Sequence, residues 1–229
     1  MEKRKRYAVV LAGGSGLRAG GDVPKQFADL CGLPVLWWSV KAFHQADPDT
    51  RIRIVMHPGF FDLWDVLYSG MPEEEKEFDY DLVCGGRNRL ESVKNGIAGI
   101  EEEDALIAVH DSARPLVDTS LILRGWKRGE ATGAAVPVVA MTDSIRMLLP
   151  DGSQPLERSR YVRVQTPQVF EAGLLKRSYD APLSPAMTDD ASVVEAAGAR
   201  VELYEGSERN MKITHPDDLL IASVLMRKR

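Results

Sequence analysis

The chain has 229 residues, 44% of them hydrophobic and 28% charged, which is ordinary for one soluble α/β domain. A formal net charge of −5 argues against a general nucleic-acid binder, so a polyanionic ligand would need a local cluster of Arg and Lys. The two cysteines, Cys31 and Cys84, lack metal-ligand spacing and suit a reducing cytoplasm, and no stretch approaches the roughly 18 apolar residues of a membrane span.

In chain order, Tyr7 to Leu11 is a short apolar strand that breaks into Gly13, Gly14 and Gly16, with Arg18 and Lys25 following. Glycines let a backbone approach a ligand closely, and successive N–H groups in such a loop form an anion-binding concavity. With a guanidinium and an ammonium added, the loop reads as a seat for a polyphosphate. It is not a Walker A motif, because no Gly-Lys-Ser/Thr follows at the required spacing. Gly14 to Ala19 fits the G-x-G-x-x-G/A dinucleotide pattern, which requires an immediate helix and an acidic residue about 20 positions on. Gly20, Gly21 and Pro24 interrupt any helix, and the next strand ends Val55-Met56-His57 without a carboxylate. A dehydrogenase is disfavoured.

Pro34 to Ala46 reads as a helix with Pro in its first turn and a buried stripe of Val35, Leu36, Trp38, Val40 and Phe43. Arg51 to Met56 is a second strand, Phe60 to Tyr68 a helix, and Glu73 to Glu77 a solvated charge run. Tyr80 to Cys84 is a strand ending in Gly85-Gly86. Asn88 to Ile100 carries Leu90, Val93, Ile97 and Ile100 at helical spacing. Ala105 to Val109 is a buried strand ending in His110-Asp111. Such alternation implies a three-layer, mostly parallel sheet, with ligands beyond the carboxyl ends of its strands. The loops after Leu11, Cys84 and Val109 are expected to share one edge as a pocket.

Beyond Ala134 the pattern changes. Val138 to Leu149 and Leu156 to Val164 are extended runs around a Pro150-Asp151-Gly152 turn, a hairpin signal. An isolated hairpin is marginal in water. The expectation is an arm, residues 137–164 of a single domain 1–229, packed on a second copy; folding back onto its own domain is the alternative. Glu171 to Tyr179 is helical, and Thr188 or Asp189 can cap a helix to Ala197. Arg200 to Tyr204 and Met211 to Thr214 read as strands, and Pro216 starts the last helix.

Asp111 and Arg114 stand just past a buried strand, and Asp111 suits a hard cation such as Mg²⁺. The alternative is that Asp111 caps a turn and Arg114 merely pairs with it. His110 reads as a satisfied strand-end residue. The cationic candidates, Arg18, Lys25, Arg114, Arg158 and Lys212, equip the chain for phosphoryl chemistry, where catalysis is mostly positioning and charge stabilisation.

Seven motifs in order, Leu11 to Arg18, Pro24 to Phe27, Gly85 to Val93, His110 to Pro115, Gln165 to Gln168, Thr188 to Ser192 and Asn210 to Thr214, carry a family likeness. Nearly end to end, the chain resembles the 2-C-methyl-D-erythritol 4-phosphate cytidylyltransferases of the non-mevalonate isoprenoid route. The resemblance implies a Rossmann-like nucleotidyltransferase fold with a protruding hairpin arm. It implies Mg²⁺-dependent transfer of CMP from CTP to the phosphate of 2-C-methyl-D-erythritol 4-phosphate, with release of diphosphate. Arg18 and Lys25 would neutralise the triphosphate, Asp111 would help hold the metal, and Lys212 would steady the reacting phosphates. Ala12, Gly13 and Gly86 would meet the cytosine through backbone groups, Ser92 through its side chain, with Gly14 and Gly16 completing the loop. Thr188 would lie near the acceptor, and Arg114 and Thr166 close to it. The family is dimeric with exchanged arms, so Ser144, where threonine is usual, and Arg158 would reach the partner's acceptor phosphate. Arg87, at a variable position, has no assigned role. A ribitol 5-phosphate cytidylyltransferase and a non-catalytic nucleotide-binding regulatory module are the rival readings, and the Thr188-Asp189-Asp190-Ala191-Ser192 run favours the methylerythritol enzyme over the first.

Overall fold

In β1 (Arg6–Leu11) every residue after Arg6 is buried, the continuous apolar pattern of a strand covered on both faces. The computed structural model describes residues 3–14, 23–76 and 78–227. β4 (Arg51–Met56) and β6 (Leu106–Asp111) flank β1 in parallel, and β5 (Asp81–Cys84) runs parallel beyond β4. On the far side, β11 (Gln168–Glu171) is antiparallel to both β6 and β7 (Ala134–Ala140). β10 (Val162–Val164) pairs antiparallel and β12 (Glu202–Glu205) parallel with β7. The mostly parallel sheet expected from the sequence is therefore present, with β11 and β10 as its reversed strands.

Alternate residues of β1 feed two cores. Ala8 and Val10 pack with α1 (Val35–Ala46), α2 (Phe61–Ser69) and α4 (Thr119–Thr132). Tyr7, Val9 and Leu11 pack with α3 (Arg89–Ile97), α5 (Ala172–Asp180) and α6 (Asp190–Ala196). Each fully buried Val or Leu contributes ~1.5–3 kcal/mol relative to exposure, so both faces hold the sheet in place. A small hairpin, β2 (Asp29–Leu30) with β3 (Leu33–Pro34), meets α7 (Pro216–Met226) in a third core around Leu30, Val35 and Ile213. Among the described residues no helix is long and apolar enough to cross a membrane.

Several expectations need correction. Pro34 ends β3 and precedes α1, and within α1 it is Trp37, not Trp38, that is fully buried. α3 stops at Ile97 because the chain leaves helical geometry at Ala98. Glu75 is not simply solvated, since it pairs with Lys41. Met211 to Thr214 joins no sheet; the Ile213 N–H donates to the Ala113 carbonyl instead, at 2.8 Å. The arm is shorter than expected: β8 (Arg146–Leu149) and β9 (Gly152–Pro155) form the hairpin, while residues 138–140 and 162–164 belong to the main sheet. All eight strand residues of the hairpin are exposed. Of the two caps expected for α6, Asp189 is the one that forms, which bears that expectation out.

The sequence pattern assigns no element to residues 116–133, where the structure builds α4. Asp118 caps it at 2.7 Å from the Leu121 N–H. Gly129 weakens the helical pattern, yet it is what lets α4 lie against the sheet: a Cβ there would sit 2.5 Å from Val169 Cγ1. Gly→Ala in a helix normally gains about 1 kcal/mol, whereas overpacking a closed core costs about 1–3 kcal/mol. Val169 is fully buried, so the second effect should win. Gly129→Ala is expected to lose about 1–2 kcal/mol in urea unfolding; a gain in stability would show that the helix can move away.

Candidate active site

The C-terminal ends of β1, β4, β5 and β6 open into one cleft of about 1260 Å³. Ala12, Gly13, Gly14, Lys25, Gly86, Ser92, Asp111 and Lys212, all expected at the site, line it together with His57 and Phe60. Gly16 and Arg18 lie outside the described residues. The three loops do share one edge, because β1 has β4 and β6 as neighbours and β5 follows β4.

Local chemistry shapes each wall. Gly86 must lack a side chain, since a Cβ would fall 2.2 Å from Glu91 Cβ and 2.9 Å from the Glu91 carbonyl carbon. Its N–H donates to Ser92 Oγ at 3.0 Å, and that hydroxyl donates onward to the Asn88 carbonyl at 2.8 Å. Asn88 caps α3 by accepting from the Glu91 N–H. Lys25 Nζ donates to the Ile213 carbonyl at 2.6 Å, which brings it beside the segment carrying Lys212.

A second cavity of about 460 Å³ adjoins the first. Arg114, Thr166 and Thr188 line it, as expected of acceptor-side residues. Arg89, Asp111 and Lys212 line both cavities. Lys212 Nζ reaches Asp111 Oδ2 at 2.7 Å, and Arg89 Nε lies 3.5 Å from the other oxygen. Burial works against ionisation of Asp111, but Arg89 and Lys212 outweigh it and hold the carboxyl well below the usual range. Arg114 does not pair with Asp111; its guanidinium donates to the Asn210 carbonyl at 2.8 Å. Thr166 Oγ1 accepts from the Asp111 N–H at 3.0 Å and lies 3.1 Å from His110 Nδ1. Burial drives the His110 imidazole down to about 3, so the residue is neutral, and its Nδ1 is held by Thr166 at the end of the strand.

Ser144 and Arg158 line neither cavity of their own chain. Both are exposed on the arm, where Arg158 Nη1 donates to the Thr142 carbonyl at 2.6 Å. Arg87 lines the larger cleft as well, its side chain 89% exposed and paired with Glu91 four residues on, so its charge stands at the solvent rim of the cleft.

Arg89 lines both cavities, a place that the sequence pattern did not reveal. Its fork binds Asp190 through Nη1 at 3.1 Å and Nη2 at 2.7 Å, and Tyr179 donates to the same carboxylate. Although burial disfavours its charge, Asp190 and Asp111 raise the guanidinium above its ordinary value. A signal existed: Asn88 as cap places Arg89 in the first turn of α3, where a cation opposes the helix dipole and needs a reason to be there.

Residues 7–228 match the model of the IspD family, 2-C-methyl-D-erythritol 4-phosphate cytidylyltransferase. The chain belongs to this family. A 2-C-methyl-D-erythritol 4-phosphate cytidylyltransferase of Bacteroides fragilis is 42% identical over 96% of this chain and 99% of its own. One from Bacteroides thetaiotaomicron is 42% identical over 97% and 100%. Among solved structures, a 4-diphosphocytidyl-2C-methyl-D-erythritol synthase superposes with a TM-score of 0.79 at 28% identity, covering 98% of this chain and all of that one. The Thermus thermophilus cytidylyltransferase gives 0.75 at 28% identity with the same coverage. The cytidylyltransferase fold thus accounts for the cleft at the strand ends.

Asp190 has no exposed surface, and removing it would strand Arg89 beside a single partner. Breaking a buried ion pair from one side costs about 3–5 kcal/mol. Asp190→Ala should lose about that much in denaturant unfolding, and Asp190→Asn less; a loss below about 1 kcal/mol for the alanine variant would mean that Asp111 alone satisfies Arg89.

Proposed function

We propose that CTP occupies the larger cleft, that 2-C-methyl-D-erythritol 4-phosphate enters the smaller cavity, and that they meet at Asp111 and Lys212. The enzyme transfers CMP from CTP to the acceptor phosphate, giving 4-diphosphocytidyl-2-C-methyl-D-erythritol and diphosphate. One observation carries the arrangement: Arg89, Asp111 and Lys212 line both cavities, so the two ligands adjoin across a charged wall.

The chemistry asks for charge rather than proton transfer. A phosphate monoester has its second pKa near ~6, so the attacking oxygen is already mostly deprotonated at neutral pH. No general base is needed, which fits a buried, neutral His110. Two unit charges 4 Å apart repel by ~4 kcal/mol at an effective dielectric of 20, and both substrates carry more than one. Lys25 and Lys212 line the CTP side, while Arg89 and Arg114 line the acceptor side, so cations face the incoming anions from both directions. Arg18 is assigned to the triphosphate with Lys25. Ala12, Gly13, Gly14, Gly16, Gly86 and Ser92 are assigned to the nucleotide, and Arg114, Thr166 and Thr188 to the acceptor.

The donor set fits Mg²⁺ carried in with the nucleotide. Among the described residues no three acidic, histidine or cysteine side chains cluster. Asp111 is the carboxylate that would hold the ion, in keeping with the habit of Mg²⁺ to use one or two carboxylates plus substrate phosphates. When bound, the ion would neutralise phosphate charge. In this reading Lys212, now on Asp111 at 2.7 Å, would exchange that contact for a phosphate oxygen.

The arm serves a second copy of the chain in this reading. Leu148 is 84% exposed, and Met147, Leu149 and Tyr161 are also exposed, apolar surface that a partner would cover. Ser144 and Arg158 would then complete the partner's acceptor cavity. The exposed, unpaired Cys31 and Cys84 support a cytoplasmic setting.

Diphosphate release from CTP should depend on 2-C-methyl-D-erythritol 4-phosphate and Mg²⁺; turnover with ribitol 5-phosphate alone would reverse the acceptor assignment. Lys212→Ala should lower kcat ~10²-fold or more with a smaller change in KM for CTP. An effect confined to KM would reduce Lys212 to ground-state binding. Mixing Arg158→Ala with Asp111→Ala subunits should restore up to about a quarter of wild-type activity, because half the dimers are mixed and each holds one intact site. Absence of rescue in mixed dimers would count against shared sites.

A further inference from the structure

Gln26 is 2% exposed and carries one side-chain amide with two N–H donors. One of the Nε2 bonds goes to the Ala12 carbonyl at 2.9 Å and the other to the Gly14 carbonyl at 2.7 Å. Both acceptors belong to the glycine turn after β1, 14 and 12 positions before Gln26 in the chain. We propose that Gln26 is a positioning residue for the nucleotide, clamping the glycine turn in its phosphate-accepting form and setting Lys25 in register with it. This rests on the assignment of the larger cleft to CTP.

Three features of the geometry support the clamp. The carbonyl and the following N–H of a trans peptide point in opposite directions, so holding the Ala12 carbonyl directs the Gly13 N–H away from Gln26. Ala12 is fixed on its other side as well, its N–H donating to the Val55 carbonyl at 2.7 Å. The adjacent Lys25 reaches the Ile213 carbonyl, so the Lys25-Gln26 pair ties the glycine turn to the segment that carries Lys212. Only a neutral amide gives both donors at this point. A carboxylate of the same size would set negative charge against two carbonyl oxygens, and on protonation it would recover one donor.

The test compares wild type, Gln26→Met and Gln26→Glu as full-length protein, with thermal midpoints, kcat, and KM for CTP and for the acceptor, between about pH 8 and pH 6. Orphaning two acceptors should raise the KM for CTP roughly tenfold or more in both variants at the alkaline end, with acceptor KM within about twofold. On acidification, the Gln26→Glu defect relative to wild type at the same pH should shrink, while the Gln26→Met defect should not. A CTP KM within about twofold of wild type in Gln26→Met would overturn the proposal, as would equal losses for both substrates or the same pH profile in the two variants. If Gln26→Glu does not fold, the Met variant decides alone. Calorimetric titration with CTP and Mg²⁺ reads the same difference without turnover. An inactive wild type would therefore refute the activity, and the titration would still decide the clamp.

Discussion

The site depends on one ionised carboxylate being held between two cations. Asp111 sits at the end of the central strand β6, and Lys212 and Arg89 reach it from distant parts of the chain. Burial alone would protonate it, and the paired cations prevent that. The arrangement joins three elements that share little sequence: the end of β6, the start of α3, and the segment before α7. It also marks the boundary between the two cavities. Removing the Arg89–Asp190 support would therefore loosen both at once.

Around that pair, the sheet supplies rigidity and the loops supply chemistry. β1 is buried on both faces and hydrogen-bonded on both edges, so the glycine turn leaves a fixed point. Gly86 and Ser92 form the opposite wall through a short bond chain that ends on the α3 cap. Such sites lie beyond the carboxyl ends of parallel strands because the loops there can vary without disturbing the core.

The arm obeys a different constraint. None of its strand residues is buried within the chain, and a two-stranded hairpin has little stability of its own in water. Its exposed apolar residues and its absence from the walls of both cavities make sense together if a second copy supplies the missing surface.

Local pattern alone determined much of this molecule. Continuous apolar runs marked β1, β4 and β6, and helical spacing marked α1 and α3, because periodicity and burial are properties of adjacent residues. The glycine turn, Gly85-Gly86 and Asp111 were legible for the same reason: unusual residues just after buried strands. Residues whose meaning depends on a distant partner were not. Arg89 resembles any surface arginine until Asp190 and Asp111, 101 and 22 positions away, close around it. α4 was hidden because its glycines answer to Val169, and Met211 to Thr214 passed for a strand because its backbone partner is Ala113 and no ladder strand adjoins it. Tertiary structure decided those cases, since charge pairing and close packing are set by distance in space and not along the chain.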